Sequence, residues 1–229
     1  MTLTSHRSGR VSWLGGRGER LLAPGRYPSI VANIVGLTVA VVGAGIAVAG
    51  IVDAIDGGPD VLVLLGCGVV IWAVGSVMWR VTIVPRQTRT LDVFTTVTLA
   101  WVAMAVAGAI PYLLTGQFTR VDDALFESIA GFTTTGATVI PDIEAASKGM
   151  LFWRSTTQWM GGMGVIVLVV AVLPTVGAGG MNLLAAEAPG PTDERLTPRV
   201  RETARRLWAV YVGFTIVLAG AYLVAGMSP

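Results

Sequence analysis

The stretch Glu127-Ser128-Ile129-Ala130-Gly131-Phe132-Thr133-Thr134-Thr135-Gly136-Ala137-Thr138-Val139 carries the most specific chemistry in this sequence. Three threonines precede Gly136, and Ala137 and Thr138 follow it. Threonine favours strands, but the segment lies between two long apolar runs, and an open strand edge cannot face lipid. A short segment of this kind can instead dip into a bilayer and turn back. Its carbonyl oxygens then line an aqueous path and replace the hydration shell of a cation. The candidate coordinating residues are Thr134, Thr135, Gly136, Ala137 and Thr138, through their backbone, with Thr134 and Gly136 foremost. Gly136 lets a carbonyl face a pore axis without side-chain interference.

The residues before the threonines predict a short helix. Asp122 or Asp123 can cap it, because a carboxylate accepts the free amide hydrogens of a first turn. Ala124 to Ala130 supports only two turns, too few to span a membrane. Gly131 is a suitable terminator. The helix C-terminus, aimed at the bilayer centre, would carry partial negative charge and favour a cation. An outer surface loop with one helical turn is the plainer alternative. The order of span, half-helix, threonine-glycine return and span argues against it. Phe132 reads as packing behind the return. Glu127 has three readings: it binds a backbone amide of the return, raises the local cation concentration, or faces an outer vestibule. A lone fixed carboxylate would hold a permeating cation too firmly to be its ligand.

Composition sets the class around this segment. Hydrophobic residues make up 53% of the 229 and charged residues 13%, about half the charged share of a soluble domain. Mean hydropathy is +0.70. Five runs are long enough to cross a bilayer, which takes about 20 helical residues: Val31–Val52, Val61–Trp79, Val93–Thr115, Trp153 to Pro174, and Leu207–Met227. Their glycines and alanines let helix backbones approach closely in lipid. Gly161, Gly162 and Gly164 allow close contact or a bend in the fourth run. Pro111 lies near the end of the third, where a missing amide bond is least disruptive. Trp153, Arg154 and Trp159 fit an outer interface.

Charge alternates between the runs. Arg7, Arg10, Arg17, Arg20 and Arg26 precede the first; Asp53, Asp56 and Asp60 follow it; Arg80, Arg86 and Arg89 follow the second; and Arg195 to Arg206 precede the fifth. The positive-inside rule places the N-terminus, the 80–92 turn and the 175–206 loop in the cytoplasm. The 53–60 turn and the 116–152 region fall outside. Arg120, Lys148 and Arg154 run against the rule, among acidic neighbours. The pI near 9.0 thus reports membrane topology rather than nucleic-acid binding. The first 30 residues lack the early short apolar core of a secretory signal.

Other chemistries find few residues. The one cysteine, Cys67, lies in an apolar run and reads as a small buried hydrophobe. The one histidine, His6, lies in a polar tail, so no Ser–His–Asp set is available. There is no phosphate loop with a lysine and no dinucleotide glycine pattern. No enzyme activity and no bound cofactor are expected.

The stretch from Phe126 to Val139 resembles the first selectivity-filter loop of the Trk/Ktr/HKT superfamily of potassium uptake proteins, in its Trk branch. Phe152 to Gly164 resembles the opening of the family's next helix, and Ala171-Val172-Leu173-Pro174 its end. Ala185 to Pro191, with Leu196-Thr197-Pro198-Arg199, resembles the cytoplasmic loop that follows. The resemblance covers most of residues 31–229. It implies an all-α polytopic protein of the cell inner membrane. Residues 1–92 would be a basic tail and two leading helices. Residues 93–174 would be one helix, pore-loop, helix unit, 175–206 a cytoplasmic loop, and 207–229 the first helix of a second unit. Such proteins carry four units around one potassium path, so this chain would supply one filter segment of four, as an N-terminal half. The resemblance further implies a homodimer and a peripheral cytoplasmic regulatory protein that binds nucleotide. The driving force stays open among membrane potential, sodium and protons. The rival expectation is a non-conducting membrane scaffold or regulatory subunit.

Overall fold

A computed structural model describes residues 27–84, 90–143, 145–164 and 196–226. The basic tail with His6, the Ala171–Pro174 and Ala185–Pro191 motifs, and the end of the fourth predicted span lie outside these residues. Six helices are described: α1 (Ile30–Asp56), α2 (Val61–Val81), α3 (Thr90–Leu114), α4 (Val121–Phe132), α5 (148–164) and α6 (Leu196–Val224). Four of them contain stretches long and apolar enough to cross a membrane: Ile30–Asp56, Val61–Val81, Leu91–Leu114 and Glu202–Val224.

Several boundaries differ from the sequence reading. Helix α1 continues past Val52, so Asp53 lies in its last turn rather than in the connecting turn. Helix α5 starts at 148, earlier than Trp153, and α6 at Leu196, earlier than Leu207. Hydropathy marks where a helix meets lipid; polar turns beyond that point keep their backbone bonds. Two two-residue strands, β1 (Tyr27–Pro28) and β2 (Thr82–Ile83), pair in parallel. Buried Asn33 supports this corner, donating its side-chain amide to the carbonyls of Trp79 and Thr82 at 3.0 Å each. These oxygens end α2 and have no partner within the helix.

Helix α1 begins where the Ser29 hydroxyl accepts the Ala32 amide and ends at Gly57 in the left-handed region. It packs antiparallel on α2 through glycines two turns apart. Gly36, Gly43 and Gly50 face the α2 backbone, and Gly68 and Gly75 face that of α1. A β-carbon on Gly43 would lie 2.7 Å from the Trp72 Cα, and one on Gly75 2.8 Å from the Ala40 Cα. Lipid offers little hydrophobic drive between helices, so close backbone contact supplies the attraction. The opposite side of α1 meets α5, where Gly45 lies against the Trp153 ring.

Asp53 ties this hairpin to the rest. It is 0% exposed and accepts from the amides of Asp60 at 2.8 Å and Gly149 at 3.0 Å. The second bond places a carboxylate at the N-terminal end of α5, where the helix dipole favours it.

Helix α4 is wedged between α3 and α5. Its Ser128 hydroxyl donates to the Ala105 carbonyl of α3 at 2.8 Å. Trp153 of α5 is buried and donates from Nε1 to the Gly108 carbonyl at 3.1 Å. It meets Phe132 edge-on, so it is a core residue and not an interface anchor. Three glycines make room: Gly108 faces the Phe132 ring, Gly131 faces Thr157, and Gly161 faces the Phe132 backbone. Gly162 instead faces Tyr211 of α6, whose hydroxyl donates to the Trp159 carbonyl.

Gly43→Ala should therefore loosen the α1–α2 hairpin by about 1–3 kcal/mol of overpacking strain. Gly66→Ala, where a β-carbon meets nothing within 4 Å, is the control. Thermal unfolding in detergent should separate the two, and equal midpoints would reject glycine-mediated packing. Gly161→Ala should push α4 out of place, because its β-carbon would stand 2.7 Å from the Phe132 carbonyl carbon. Gly164→Ala, at an ordinary 3.7 Å from Trp101, should be tolerated. Membrane abundance and thermal unfolding in detergent of the two variants check this.

Candidate functional site

The site is built where α4 ends. Its start differs from expectation: Arg120 is the N-cap and makes no side-chain capping bond. Asp122 and Asp123 lie inside the first turn, where their charge suits the positive end of the helix dipole. Arg120 pairs with both, and its hydrogen bond holds the Asp122 carboxyl below the usual carboxylate range.

The expected terminator, Gly131, is instead helical. Its missing side chain makes room for Thr157, whose Cβ would lie 3.0 Å from an added β-carbon. The helix runs on to Phe132 and reverses at Thr134, which has φ 57. The Thr135 amide donates to Ala130 at 3.0 Å, and the Thr134 amide to Gly131 at 2.9 Å. These two bonds form a Schellman closure. Threonine in that left-handed position costs about 1–2 kcal/mol relative to an ordinary conformation. Gly136, at φ 75, provides a second left-handed residue without that cost.

The chain then returns alongside α4 and is pinned by Glu127. This carboxylate is 1% exposed. It accepts the Thr138 hydroxyl at 3.0 Å from each oxygen, the Val139 amide at 3.0 Å, and the Arg154 Nε at 2.7 Å. Of the three sequence readings of Glu127, the structure contains the bond to a return-segment amide. Arg154 is 18% exposed, and its Nη2 also donates to the Gly136 carbonyl at 3.2 Å. One guanidinium from α5 thus joins a buried carboxylate on α4 to the backbone of the return. Removing either charge would strand the other, at a cost of about 3–5 kcal/mol for a buried pair.

Thr134, Thr135, Gly136, Ala137 and Thr138 lie together on one exposed segment. Among the described residues, the carbonyls of Thr134, Thr135, Ala137 and Thr138 accept no hydrogen bond, and that of Gly136 accepts the one from Arg154. Exposed and without a protein partner, these oxygens are available to water or a cation. Sequence reasoning missed the part played by Arg154, which it assigned to an interface. The available signal was its position on the outer side against the charge rule, with Glu127 as a nearby acid.

The chain matches the family described as "TrkH: Cation transport protein" over residues 63–228. The Trk system potassium uptake protein TrkH of Halomonas elongata is 47% identical over 145 residues, 62% of this chain and 30% of that protein. The protein of the same name from Vibrio parahaemolyticus is 44% identical over 169 residues, 73% of this chain and 34% of that one. The crystal structure of the potassium transporter TrkH from Vibrio parahaemolyticus is similar with a TM-score of 0.72 at 34% identity. That likeness covers 87% of this chain and 40% of the other. The chain spans about a third of the length of the curated relatives it matches. The matched region takes in the half-length helix, its glycine-bearing return and the helix that braces them, and with it the chain belongs to the TrkH family of cation transport proteins.

Proposed function

We propose that this chain contributes one cation-coordinating segment to a potassium uptake path across the cell inner membrane. The observation that carries the reading is the return segment from Thr134 to Thr138. Its carbonyls lie at the negative end of the α4 dipole, and the side chains that pin it form a neutral pair. On this reading α1 and α2 are the two leading helices. Helix α3, α4 with its return, and α5 form one helix, pore-loop, helix unit. Helix α6 opens a second unit. One such segment supplies one side of an ion cage, so three further segments from outside these residues complete it. The N-terminus is then cytoplasmic, and the Asp53 turn and α4 lie outside. The names of the relatives support potassium as the transported ion. A homodimer and a peripheral nucleotide-binding regulator complete the proposed assembly. No catalysis and no resident cofactor enter the reading.

Reconstituted vesicles holding the complete protein as the cell makes it should take up potassium and rubidium in preference to sodium. Equal flux of all three, or flux indifferent to potassium, would reject the reading. Silent vesicles with correctly inserted protein would favour the non-conducting scaffold. Gly136→Ser should lower the potassium-to-sodium uptake ratio about tenfold, equivalent to ~1.4 kcal/mol of lost discrimination. A side chain at φ 75 adds about 1–2 kcal/mol of local strain, but no neighbouring atom lies within 4 Å of an added β-carbon, so its abundance should fall less than its selectivity. Uptake normalised to membrane protein measures this, and an unaltered ratio at normal abundance removes Gly136 from the filter.

A further inference from the structure

We propose that Arg154 is a positioning residue for ion selection, setting the orientation of the Gly136 carbonyl through a guanidinium anchored on Glu127. The inference rests on the reading of residues 134–138 as cation-coordinating. Three observations carry it. First, the arginine is divided between two acceptors: Nε goes to Glu127 at 2.7 Å and Nη2 to the Gly136 carbonyl at 3.2 Å. The planar fork of a guanidinium can serve two acceptors in fixed relation, which a lysine ammonium on its flexible stem cannot reproduce. Second, the anchor is rigid. Glu127 is 1% exposed, and the Thr138 hydroxyl and Val139 amide occupy its remaining acceptor sites. Third, Gly136 is a pivot. It sits at φ 75, and its amide donates to the Ala130 carbonyl at 3.4 Å. On its carbonyl side, among the described residues, the Arg154 bond is the hydrogen bond that orients the peptide plane.

The electrostatic consequence follows from the pairing. Glu127 and Arg154 neutralise each other beside the path, so the carboxylate does not trap a passing cation and the guanidinium does not repel it. The guanidinium draws on one lone pair of the Gly136 carbonyl and leaves the other free. A carbonyl held this way has one direction and a reduced pull on a cation. Both properties bear on the number and field strength of ligands by which a filter discriminates between ions.

The test uses the complete protein, as the cell makes it, in vesicles. It compares Arg154→Lys, Arg154→Gln and the double variant Glu127→Gln with Arg154→Gln. Arg154→Lys keeps the charge pair and loses the fork. It should reach the membrane in near-normal amount and lower the potassium-to-sodium uptake ratio about tenfold. Arg154→Gln strands the buried carboxylate and should fall in abundance. The double variant removes both charges, so its abundance should recover while its selectivity stays low. Normal selectivity in Arg154→Lys or in the double variant overturns the proposal. So does a loss of abundance shared by all three with an unaltered ratio in the surviving protein, which is the signature of a purely structural pair. Gly136→Ser, run in parallel, separates the two levels. If it alone alters selectivity, Arg154 is not the positioning residue and the filter reading stands. If neither position alters selectivity, the filter reading falls as well.

Discussion

The chain that turns back along α4 after Thr134 must find partners for the polar groups it presents to the protein. Glu127 meets that requirement. Its buried carboxylate receives a hydroxyl, an amide and a guanidinium nitrogen from two places along the chain. The amide and hydroxyl belong to the return, and the guanidinium to α5. One side chain therefore fixes the distance between helix α4, the segment after it and the next long helix. A residue without a side-chain acceptor at 127 would leave the Val139 amide and the Arg154 charge without their partner. A buried donor left unsatisfied costs about 1–3 kcal/mol, and a buried charge more.

The same logic extends outward to α1 and α2. Arg154 can reach both Glu127 and Gly136 only if α5 keeps its depth and rotation. The start of α5 is held by the Asp53 carboxylate at the Gly149 amide, and its middle by Trp153 against Gly108. Asp53 itself is fixed by the Asp60 amide across the hairpin turn. That hairpin is stiff because its glycines bring two backbones into contact. The leading hairpin thus acts as a buttress, reaching the return through α5 rather than by direct touch.

Much of this was legible in the sequence, and the residues that were not share a physical cause. The apolar runs, the half-helix between two of them and the small polar return follow from local properties: hydropathy, length, and the dihedral freedom of Gly136. Asp53 was placed in the outer turn after the first run by the alternation of charge, which carries no information on burial. Its burial depends on Gly149, far along the chain. Trp153 was read as an interface residue because tryptophan next to arginine at a span's start suits a membrane surface, and only packing on Phe132 and Gly108 draws it inward. Gly131 was read as a helix end from its own dihedral freedom. In the fold it is used for lack of volume, against Thr157, and Thr134 takes the left-handed turn instead.

That exchange explains why the threonines are where they are. A helix ending at Gly131 would stop short of the Gly108 and Gly161 notches that receive Phe132. Moving the reversal to Thr134 seats the Phe132 ring first, and the chain turns afterwards. The turn is stabilised by local threonine bonds: Thr133 donates to the Ile129 carbonyl at 2.8 Å, and its hydroxyl meets that of Thr135 at 2.8 Å. Hydroxyls that bond to each other and to the helix end occupy little room and bring no net charge. The carbonyls that follow are then left as the polar face of the segment. Threonine suits this place because its side chain closes the turn locally while its backbone oxygen stays available.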